Sequence, residues 1–381
     1  MKTEQLSWNE KNGWDKDPTT IKLAANANFV LTFGSRKNLE KEDIIKQILA
    51  MYPKAIHIGC TTAGEIHGTT VQDESLVVTG VQFEHTNLKI STQQLNTMEE
   101  SHIIGEKLAK ELNQDDLVHV LVISDGLNVN GSALIQGMTD VLPSKVAVTG
   151  GLAGDGTSFQ KTLLFLNDQK PTDRKVIAVG FYGKQLKVGY GSVGGWDPYG
   201  PIRTITKSKG NVLYEIDHSP ALSIYKTYLG PRAEELPSSA LLFPLSLRKD
   251  KNDNPVVRTI LSVDEKDQSM TFAGEISEGY YAQFMKANFT KLIDGASNAA
   301  TTSYQAINSQ APDLAILISC VGRKLILQQR IEEETEAVKN ILGDKTIMTG
   351  FYSYGEIAPF MPNVKCELHN QTMTITTFSE V

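Results

Sequence analysis

The stretch Ala55–Ile66, AIHIGCTTAGEI, decides the predicted fold, because it reads as an apolar strand that runs into a glycine-bearing turn. Another apolar strand, Phe29–Phe33, precedes it and ends at Gly34. Between the two strands lies a run with apolar residues at helical spacing, and Pro53 follows this run where a helix would stop. The predicted order is therefore strand, helix, strand, turn.

Two further copies of this unit occur downstream. The second runs from His119–Gly126 to the turn KVAVTGGLAGD, which ends at Asp155. The third runs from Leu314–Gly322 to TIMTGFYSYGEI, which ends at Ile357. In all three copies, 24 to 28 residues separate the glycine after the first strand from the glycine that opens the turn. Such regular spacing indicates a repeated architecture.

The repeated unit predicts the fold class. A strand–helix–strand crossover of this length normally produces parallel strands with helices on the faces of the sheet. Alternating segments such as SLVVTGVQF and TMTITTF predict antiparallel additions. We therefore predict an α/β fold of two mixed-sheet lobes, built partly from repeated strand–helix–strand units with added antiparallel strands. A Gly- and Pro-rich stretch at 191–202, followed by a predicted helix near Pro220, divides the chain into domains 1–219 and 220–381.

Composition limits the range of functions. The 381 residues are 40% hydrophobic and 21% charged, which is typical of globular proteins large enough for more than one core. A formal net charge of −7 argues against nucleic acid as a partner, because phosphate binding requires clustered Lys and Arg. The three cysteines form no CxxC pair, and the longest apolar stretch, Leu117–Ile123, is too short to cross a membrane. The sequence predicts a cytoplasmic protein with no membrane partner.

The three glycine-bearing turns are the predicted ligand site. They combine glycines with hydroxyl and carboxyl side chains at strand ends, where ligands of open α/β sheets bind. The predicted ligand-binding residues in these turns are Cys60, Thr61, Thr62, Glu65, Gly150, Gly151, Tyr352, Ser353, Tyr354 and Glu356. The alternative is that the glycines and hydroxyls only build tight turns and cap the segments that follow.

Cys320 and Arg323, at the end of an apolar strand, are added to this predicted ligand-binding set. The guanidinium could stabilise a Cys320 thiolate, or it could hold a ligand carboxylate through two hydrogen bonds. The alternatives are a small core cysteine and an intramolecular ion pair between Arg323 and Glu356.

Motifs of the common enzymes and metal sites are absent from the sequence. It contains no phosphate loop, HExxH or GxSxG, so we predict a protein that is not an enzyme. No two histidines have metal-ligand spacing. His369, which precedes an alternating strand, either ties backbone groups together with Asn370 or ligates haem iron.

The sequence resembles the FIST family (F-box and intracellular signal transduction) over Phe29–Thr377, including its N-terminal and C-terminal domains. SCVGRK followed by GFYSYGEI is the most specific part of the resemblance. Ser277 stands where the family usually has proline. The other segments that carry the resemblance are IGCTTAGEI, SDGLNVNG, TGGLAGDG, HSPALSIYKTYLG, LLFPLSLR, VVRTILSV, GEISEGYYAQFMKAN, LIDGA, TGFYSYGEIAPF and CELHNQTMT.

This resemblance implies a bacterial signal-transduction sensor that binds an amino acid or similar small molecule. It also implies a separate signalling partner, such as a histidine kinase or diguanylate cyclase. Two alternatives stay open: a haem-binding nitric oxide sensor of the same family that uses His369, and an unrecognised enzyme that depends on Cys320.

Overall fold

The computed structural model describes residues 1–236, 238–251, 253, 255–359 and 365–381. Phe360, the last residue of the TGFYSYGEIAPF segment, lies outside the described residues. Within the described ranges, every helix is too short or too polar to serve as a membrane span.

Strands make up most of the regular structure. The first thirteen are β1 (Lys2–Asn9), β2 (Gly13–Trp14), β3 (Phe29–Gly34), β4 (Ile56–Thr61), β5 (Glu65–His67), β6 (Thr70–Gln72), β7 (Ser75–Gln82), β8 (Asn87–Gln94), β9 (Leu117–Ser124), β10 (Ala147–Leu152), β11 (Leu164–Leu166), β12 (Lys175–Tyr182) and β13 (Leu186–Val193). They are followed by β14 (Trp196–Pro198), β15 (Arg203–Lys209), β16 (Val212–Ile216), β17 (Ser219–Pro220), β18 (Leu245–Arg248), β19 (Val256–Arg258), β20 (Ile260–Asp264), β21 (Ser269–Phe272), β22 (Tyr281–Ala287), β23 (Leu314–Cys320), β24 (Ile347–Ser353), β25 (Gly355–Pro359), β26 (Cys366–His369) and β27 (Met373–Glu380).

Helices connect and cover these strands. They are α1 (Arg36–Leu39), α2 (Glu42–Met51), α3 (Ser101–Leu112), α4 (Gly131–Thr139), α5 (Ala221–Leu229), α6 (Phe289–Ala306), α7 (Val321–Leu327) and α8 (Ile331–Leu342). The Asn130 side chain caps α4 by accepting from Ala133 N, and Asn288 caps α6 in the same way through Lys291 N. Three glutamates in the first turn of α8 complement the positive end of its dipole.

The three repeated units each form the centre of a six-stranded sheet. Sheet 1 has the order β11-β4-β3-β7-β1-β2, sheet 2 has β26-β25-β10-β9-β12-β8, and sheet 3 has β6-β5-β24-β23-β27-β13. In each sheet one parallel pair, β3 with β4, β9 with β10 or β23 with β24, is flanked by antiparallel strands. The three sheets therefore share the arrangement of their four central strands, while sheet 1 differs from sheets 2 and 3 in its outer strands.

The strand that follows each glycine-bearing turn belongs to a different sheet from the strand that precedes the turn. β4 belongs to sheet 1, but β5 pairs with β24 in sheet 3. In turn, β25 pairs with β10 in sheet 2, and β11 pairs with β4 in sheet 1. This cyclic exchange brings the three turns together, because each turn spans the gap between two sheets.

A glycine occupies the same position in the second strand of each parallel pair. Gly59 lies opposite Thr32, Gly150 opposite Val122, and Gly350 opposite Leu317. A Cβ atom at these glycines would lie 2.3, 1.8 and 1.8 Å from the carbonyl oxygen of the opposite residue, respectively. The glycines therefore allow close approach of the neighbouring strand.

One apolar core is shared by sheets 1, 2 and 3. Phe33 of sheet 1 contacts Phe351 of sheet 3, with ring centroids 4.8 Å apart. Phe181 of sheet 2 contacts both Phe29 of sheet 1 and Phe378 of sheet 3, at 6.0 and 5.2 Å. The helices pack on the other faces: Ile48 of α2 and Tyr52, which follows α2, belong to a separate core on sheet 1. We call sheets 1, 2 and 3 together the three-sheet body.

Sheet 4 is formed by residues 196–287, which lie between β13 of sheet 3 and helix α6 in the chain. Its strand order is β19-β18-β22-β15-β16-β21-β20, and it has its own core around Leu222, Tyr225, Phe272 and Phe284. Sheet 4 is therefore a separate packing unit attached to the three-sheet body.

The prediction of a mixed α/β fold with repeated strand–helix–strand units and added antiparallel strands is confirmed. The predicted boundary at 219/220 falls within β17 in the sheet 4 segment. Strands from both sides of that boundary share sheets 2 and 3. The division into 1–219 and 220–381 stays a prediction.

The position of Gly350 leads to a prediction about stability. In Gly350→Ala the new Cβ would meet the backbone of β23, which cannot move without breaking the sheet, so we expect a loss of about 3 kcal/mol in the free energy of unfolding. In the control Gly279→Ala nothing lies within 4 Å of the Cβ, although φ is +82°, and we expect a loss of about 1 kcal/mol. Urea denaturation measures both. Equal losses would contradict the close-approach explanation.

Candidate ligand-binding site

The three glycine-bearing turns contact one another through backbone hydrogen bonds. Ala63 N donates to Tyr352 O and Tyr352 N donates to Gly64 O, both at 2.8 Å. Tyr354 N donates to Leu152 O at 3.1 Å, and Gly154 N donates to Thr61 O at 3.0 Å. The predicted meeting of the turns therefore occurs, and it forms a hydrogen-bonded junction.

The side chains of the first turn satisfy one another within this junction. Glu65 is 1% exposed and accepts hydrogen bonds from Thr62 Oγ1 and from the backbone and hydroxyl of Ser75. Thr61 Oγ1 accepts from Leu163 N at 2.9 Å. Burial raises the pKa of Glu65 to about 7. These groups are used inside the protein and do not face a cavity.

The third turn repeats this arrangement. Glu356 is fully buried and accepts from Ser353 Oγ at 2.6 Å and from the backbone N and hydroxyl of Thr372. Burial raises the pKa of Glu356 to about 8. The hydroxyl of Tyr352 donates to Glu334, at 2.7 Å. The alternative that these side chains build and cap tight turns therefore describes their contacts.

A cavity of about 390 Å³ lies beside the junction, between the three-sheet body and sheet 4. Of the predicted ligand-binding residues, Cys320 and Tyr354 line it. The other predicted ligand-binding residues, Cys60, Thr61, Thr62, Glu65, Gly150, Gly151, Arg323, Tyr352, Ser353 and Glu356, are not in its wall.

Gly150 and Gly151 have a packing role that accounts for their absence from the wall. Gly150 allows the close approach of Val122, and a Cβ at Gly151 would lie 2.6 Å from Ile318 Cγ2 of sheet 3. The expectation that these glycines let the backbone approach a ligand is wrong for both, because neighbouring strands occupy that space.

The three-sheet body contributes one wall of the cavity from strand ends and helix starts. Gly126 and Leu127 follow β9, Asn130 and Gly131 begin α4, and Leu152 ends β10. Cys320 ends β23, and Val321 and Gly322 begin α7. This is the position where α/β sheets bind ligands.

Sheet 4 contributes the opposite wall, which the sequence analysis did not predict. The lining residues from this segment are Gly210, Asn211, Leu241, Thr259, Leu261, Phe272, Ala273, Gly274 and Glu275. The signal that could have found part of it is the segment Ala273–Ile276, which repeats the AGEI of Ala63–Ile66. Whether this segment lies beside the cavity depends on how sheet 4 docks on the three-sheet body. No local sequence pattern specifies that docking.

Tyr354 is held in the wall by a stacked ring and by its hydroxyl. Its ring stacks on Phe159 with centroids 4.5 Å apart and an interplanar angle of 15°. Its hydroxyl donates to Asp155 Oδ1 and lies 3.1 Å from Gly156 O. Burial raises the pKa of Tyr354. The neutral phenol therefore presents an aromatic surface of fixed orientation to the cavity.

Arg323 forms a buried ion pair inside the three-sheet body. Its Nη2 lies 2.8 Å from Glu334 Oε2, and both side chains are fully buried. Nη1 and Nη2 also donate to the carbonyl oxygens of Gly194 and Leu292, at 3.1 and 2.6 Å. The predicted ion pair of Arg323 with Glu356 is wrong, because Arg323 pairs with Glu334 of helix α8 instead. With these donors occupied, Arg323 is placed to hold α7 and not a ligand.

The Cys320 thiol is neutral in this setting. Burial raises its pKa, and Glu356 raises it further, while Arg323 lowers it. The expectation that Arg323 stabilises a thiolate is therefore wrong, because burial and a nearby carboxyl group outweigh a guanidinium already paired with Glu334. Cys60 and Cys366 are also buried free cysteines, and burial raises the pKa of both thiols.

His369 does not fit the role of a haem ligand. It is 1% exposed, its Nε2 donates to Ala358 O at 2.9 Å, and it is not in the cavity wall. Burial lowers the pKa of His369 to about 4. In the described residues, no three His, Cys, Asp or Glu side chains form a group that could hold a metal ion. The contacts match the predicted backbone-tying role.

The fold and cavity define an α/β protein of three repeated units with a ligand-sized space beside an inserted sheet. The model of the FIST N domain matches residues 28–219, and that of the FIST C domain matches residues 221–359. The chain belongs to the FIST family, whose domains are associated with signal-transduction sensing.

Two further proteins are similar to this chain. An uncharacterized protein of Methanocaldococcus jannaschii is 25% identical over 309 residues, which cover 74% of this chain and 57% of the relative. The chain thus spans little more than half of that relative's length. Cyanuric acid hydrolase from A. caulinodans aligns with 100% of this chain and 99% of its own, at 6% identity and a TM-score of 0.37. A likeness this weak carries no argument about activity.

The buried ion pair leads to a prediction about stability. Glu334→Gln leaves the Arg323 charge buried without a counter-ion, so we expect the free energy of unfolding to fall by about 3–5 kcal/mol. The matched control is Glu333→Gln, which removes the exposed pair with Arg330 and should change stability little. Urea denaturation compares the two, and equal effects would contradict the importance of the buried pair.

The raised pKa of Glu356 leads to a prediction about pH. Because the folded pKa of about 8 is above the ordinary value of 4.5, the contribution of Glu356 to stability is complete below pH 4.5 and is lost as pH rises through 8. We expect the free energy of unfolding of Glu356→Gln to fall less steeply between pH 6 and 9 than that of wild type. Urea denaturation across this range tests it, with exposed Glu367→Gln as the control. Identical slopes in wild type and Glu356→Gln would be inconsistent with a protonated Glu356.

Proposed function

We propose that this protein is a cytoplasmic sensor module that binds a small molecule between the three-sheet body and sheet 4. The observation that carries the proposal is the cavity of about 390 Å³, which is within the size range of small-molecule sites. Its wall joins turns of the repeated units to an inserted sheet, so a ligand there contacts both packing units.

The surface at the cavity supports ligand binding. Met98, Phe159 and Leu261 line the cavity and are 44%, 45% and 46% exposed. Large apolar side chains that remain open to water beside a concave space are typical of binding sites. Inside, Leu152, Phe272 and other apolar side chains adjoin the backbone of several glycines. The combination favours a small guest with an apolar part and a few polar atoms.

The position of the cavity also suggests how a ligand state is passed on. A ligand that contacts both walls stabilises one arrangement of sheet 4 against the three-sheet body, since only that arrangement makes both sets of contacts. The changed surface is then available to a separate signalling protein, such as a histidine kinase or diguanylate cyclase. The ligand itself is an amino acid or a similar small molecule in this proposal.

Binding is tested by thermal unfolding with a panel of the twenty L-amino acids and small carboxylic acids. We expect at least one compound to raise the Tm saturably, since a ligand present at 100 times its Kd adds about 2.7 kcal/mol of stability. Isothermal titration calorimetry of that compound then gives the Kd.

The control variants place the binding in this cavity. Ala273→Trp adds a large side chain to the wall and should abolish the shift in Tm. Ala306→Trp makes the same change at the exposed end of α6 and should leave the shift unchanged. The proposal fails if no compound raises the Tm of the wild-type protein, or if Ala273→Trp responds as wild type does.

A further inference from the structure

Among the residues that the structure describes, Glu275 is the one charged side chain on the cavity wall. It follows Gly274 in the sheet 4 wall and is exposed. Within the described ranges, its carboxyl group has no ion-pair or hydrogen-bond partner. Two other titratable residues of the wall, Cys320 and Tyr354, are neutral because burial raises their pKa values. The wall therefore carries a negative charge that no contact uses.

Asn211 adds a second oxygen acceptor beside Glu275. It is exposed and lines the cavity, and its Nδ2 donates to Phe272 O at 2.8 Å, so its Oδ1 is the side-chain atom left for a ligand. Phe272 N donates to Asn211 O, and Ile276 N donates to Gly210 O, both at 2.9 Å. These bonds hold the segments that carry Asn211 and Glu275 side by side. Two acceptors thus adjoin each other on the sheet 4 wall.

The opposite wall combines an open aromatic ring with buried carboxyl groups behind it. Phe159 is 45% exposed and stacks on Tyr354, whose hydroxyl donates to Asp155. Asp125, which precedes Gly126 of the wall, is fully buried and accepts five hydrogen bonds. Aromatic faces attract cations, and a group that only accepts hydrogen bonds adds no positive charge. This wall therefore also suits a positively charged guest.

The positive groups near the cavity are weaker or lie behind its wall. Helices α4 and α7 begin at the wall, but a helix start brings only about half a unit of positive charge, and Asn130 caps α4. Arg258 lies behind Gly274, where a Cβ would be 2.6 Å from its Nε. Burial lowers the pKa of Arg258 to about 10, while Glu367 and then Glu275 favour its charged form. One guanidinium cannot balance two carboxylates, so the negative charge at the cavity remains.

We propose that Glu275 and Asn211 bind the ammonium group of a small apolar amine in the cavity. This inference rests on the proposed function and names the chemical class of its ligand. An ammonium group is a compact donor of several N–H bonds, which the two oxygen acceptors receive. Apolar wall residues such as Phe159, Leu152 and Val321 cover the hydrocarbon part. An amino acid shares the ammonium group, but its carboxylate meets no positive side chain on the described wall.

The test compares amines with molecules of similar shape and different charge. The amines are 2-phenylethylamine and 3-methylbutylamine. Their neutral counterparts are 2-phenylethanol and 3-methylbutanol, and the amino acids that add a carboxylate are phenylalanine and leucine. Isothermal titration calorimetry with the wild-type chain measures each Kd. We expect at least one amine to bind, and its alcohol and its amino acid to bind about 10-fold more weakly, because each loses a favourable charge interaction.

Variants connect this difference to the residue. Glu275→Gln should remove most of the advantage of the amine over the alcohol, and the exposed position of Glu275 keeps the substitution compatible with folding. Asp267→Asn, in the exposed turn between β20 and β21 and outside the cavity wall, removes the same charge from sheet 4 and should keep the advantage. Higher ionic strength should weaken binding of the amine to wild type and leave the alcohol unchanged.

The outcomes separate this inference from the proposed function. If amine and alcohol bind equally, or if Glu275→Gln keeps the advantage of the amine, the assignment of the ammonium site is overturned and ligand binding stands. An equal loss in Asp267→Asn, or tighter binding of an amino acid than of its amine, overturns it as well. If no amine binds but another compound of the wider panel raises the Tm, the inference alone is wrong. If nothing binds, both fail.

Discussion

Each sheet of the three-sheet body is completed by a strand from another repeated unit, and this exchange is the constraint on which the rest of the structure depends. β5, β25 and β11 hydrogen-bond to strands outside their own unit. No unit can therefore satisfy the backbone of its sheet alone. Because the turns that carry these strands must cross between sheets, they meet at one junction, and the ends of β9, β10 and β23 open beside it.

Two kinds of buried polar contact stabilise this junction. Glu65 and Glu356 sit in equivalent turns, and each is held by hydroxyl and backbone donors. Arg323 and Glu334 tie α7 and α8 to the end of β13 and to α6. The wall that α7 contributes to the cavity is thus fixed by the three-sheet body. Sheet 4, which has its own core, supplies the other wall.

The fold was more predictable than the site. Hydrophobic period and glycine spacing identify the strand–helix–strand units, because these patterns follow from local geometry. The same glycines suggested a ligand, yet Gly59, Gly150 and Gly350 make room for a neighbouring strand. A glycine in the sequence indicates that another group comes close to the backbone, but it does not identify that group. Glu334 could not be assigned as the partner of Arg323 from the sequence, since the two residues lie on different helices whose packing no local pattern specifies.

The sequence by itself determined the class of fold, the three repeated units and the residues at strand ends, because each depends on interactions over a few neighbouring positions. The family resemblance seen in the motifs is confirmed by the matches to both FIST domains. Only the tertiary structure decided that strands are exchanged between sheets, that Arg323 pairs with Glu334 and that the cavity lies against sheet 4. The physical reason is that burial and pairing depend on which distant surfaces meet, and this is a property of the whole packed chain.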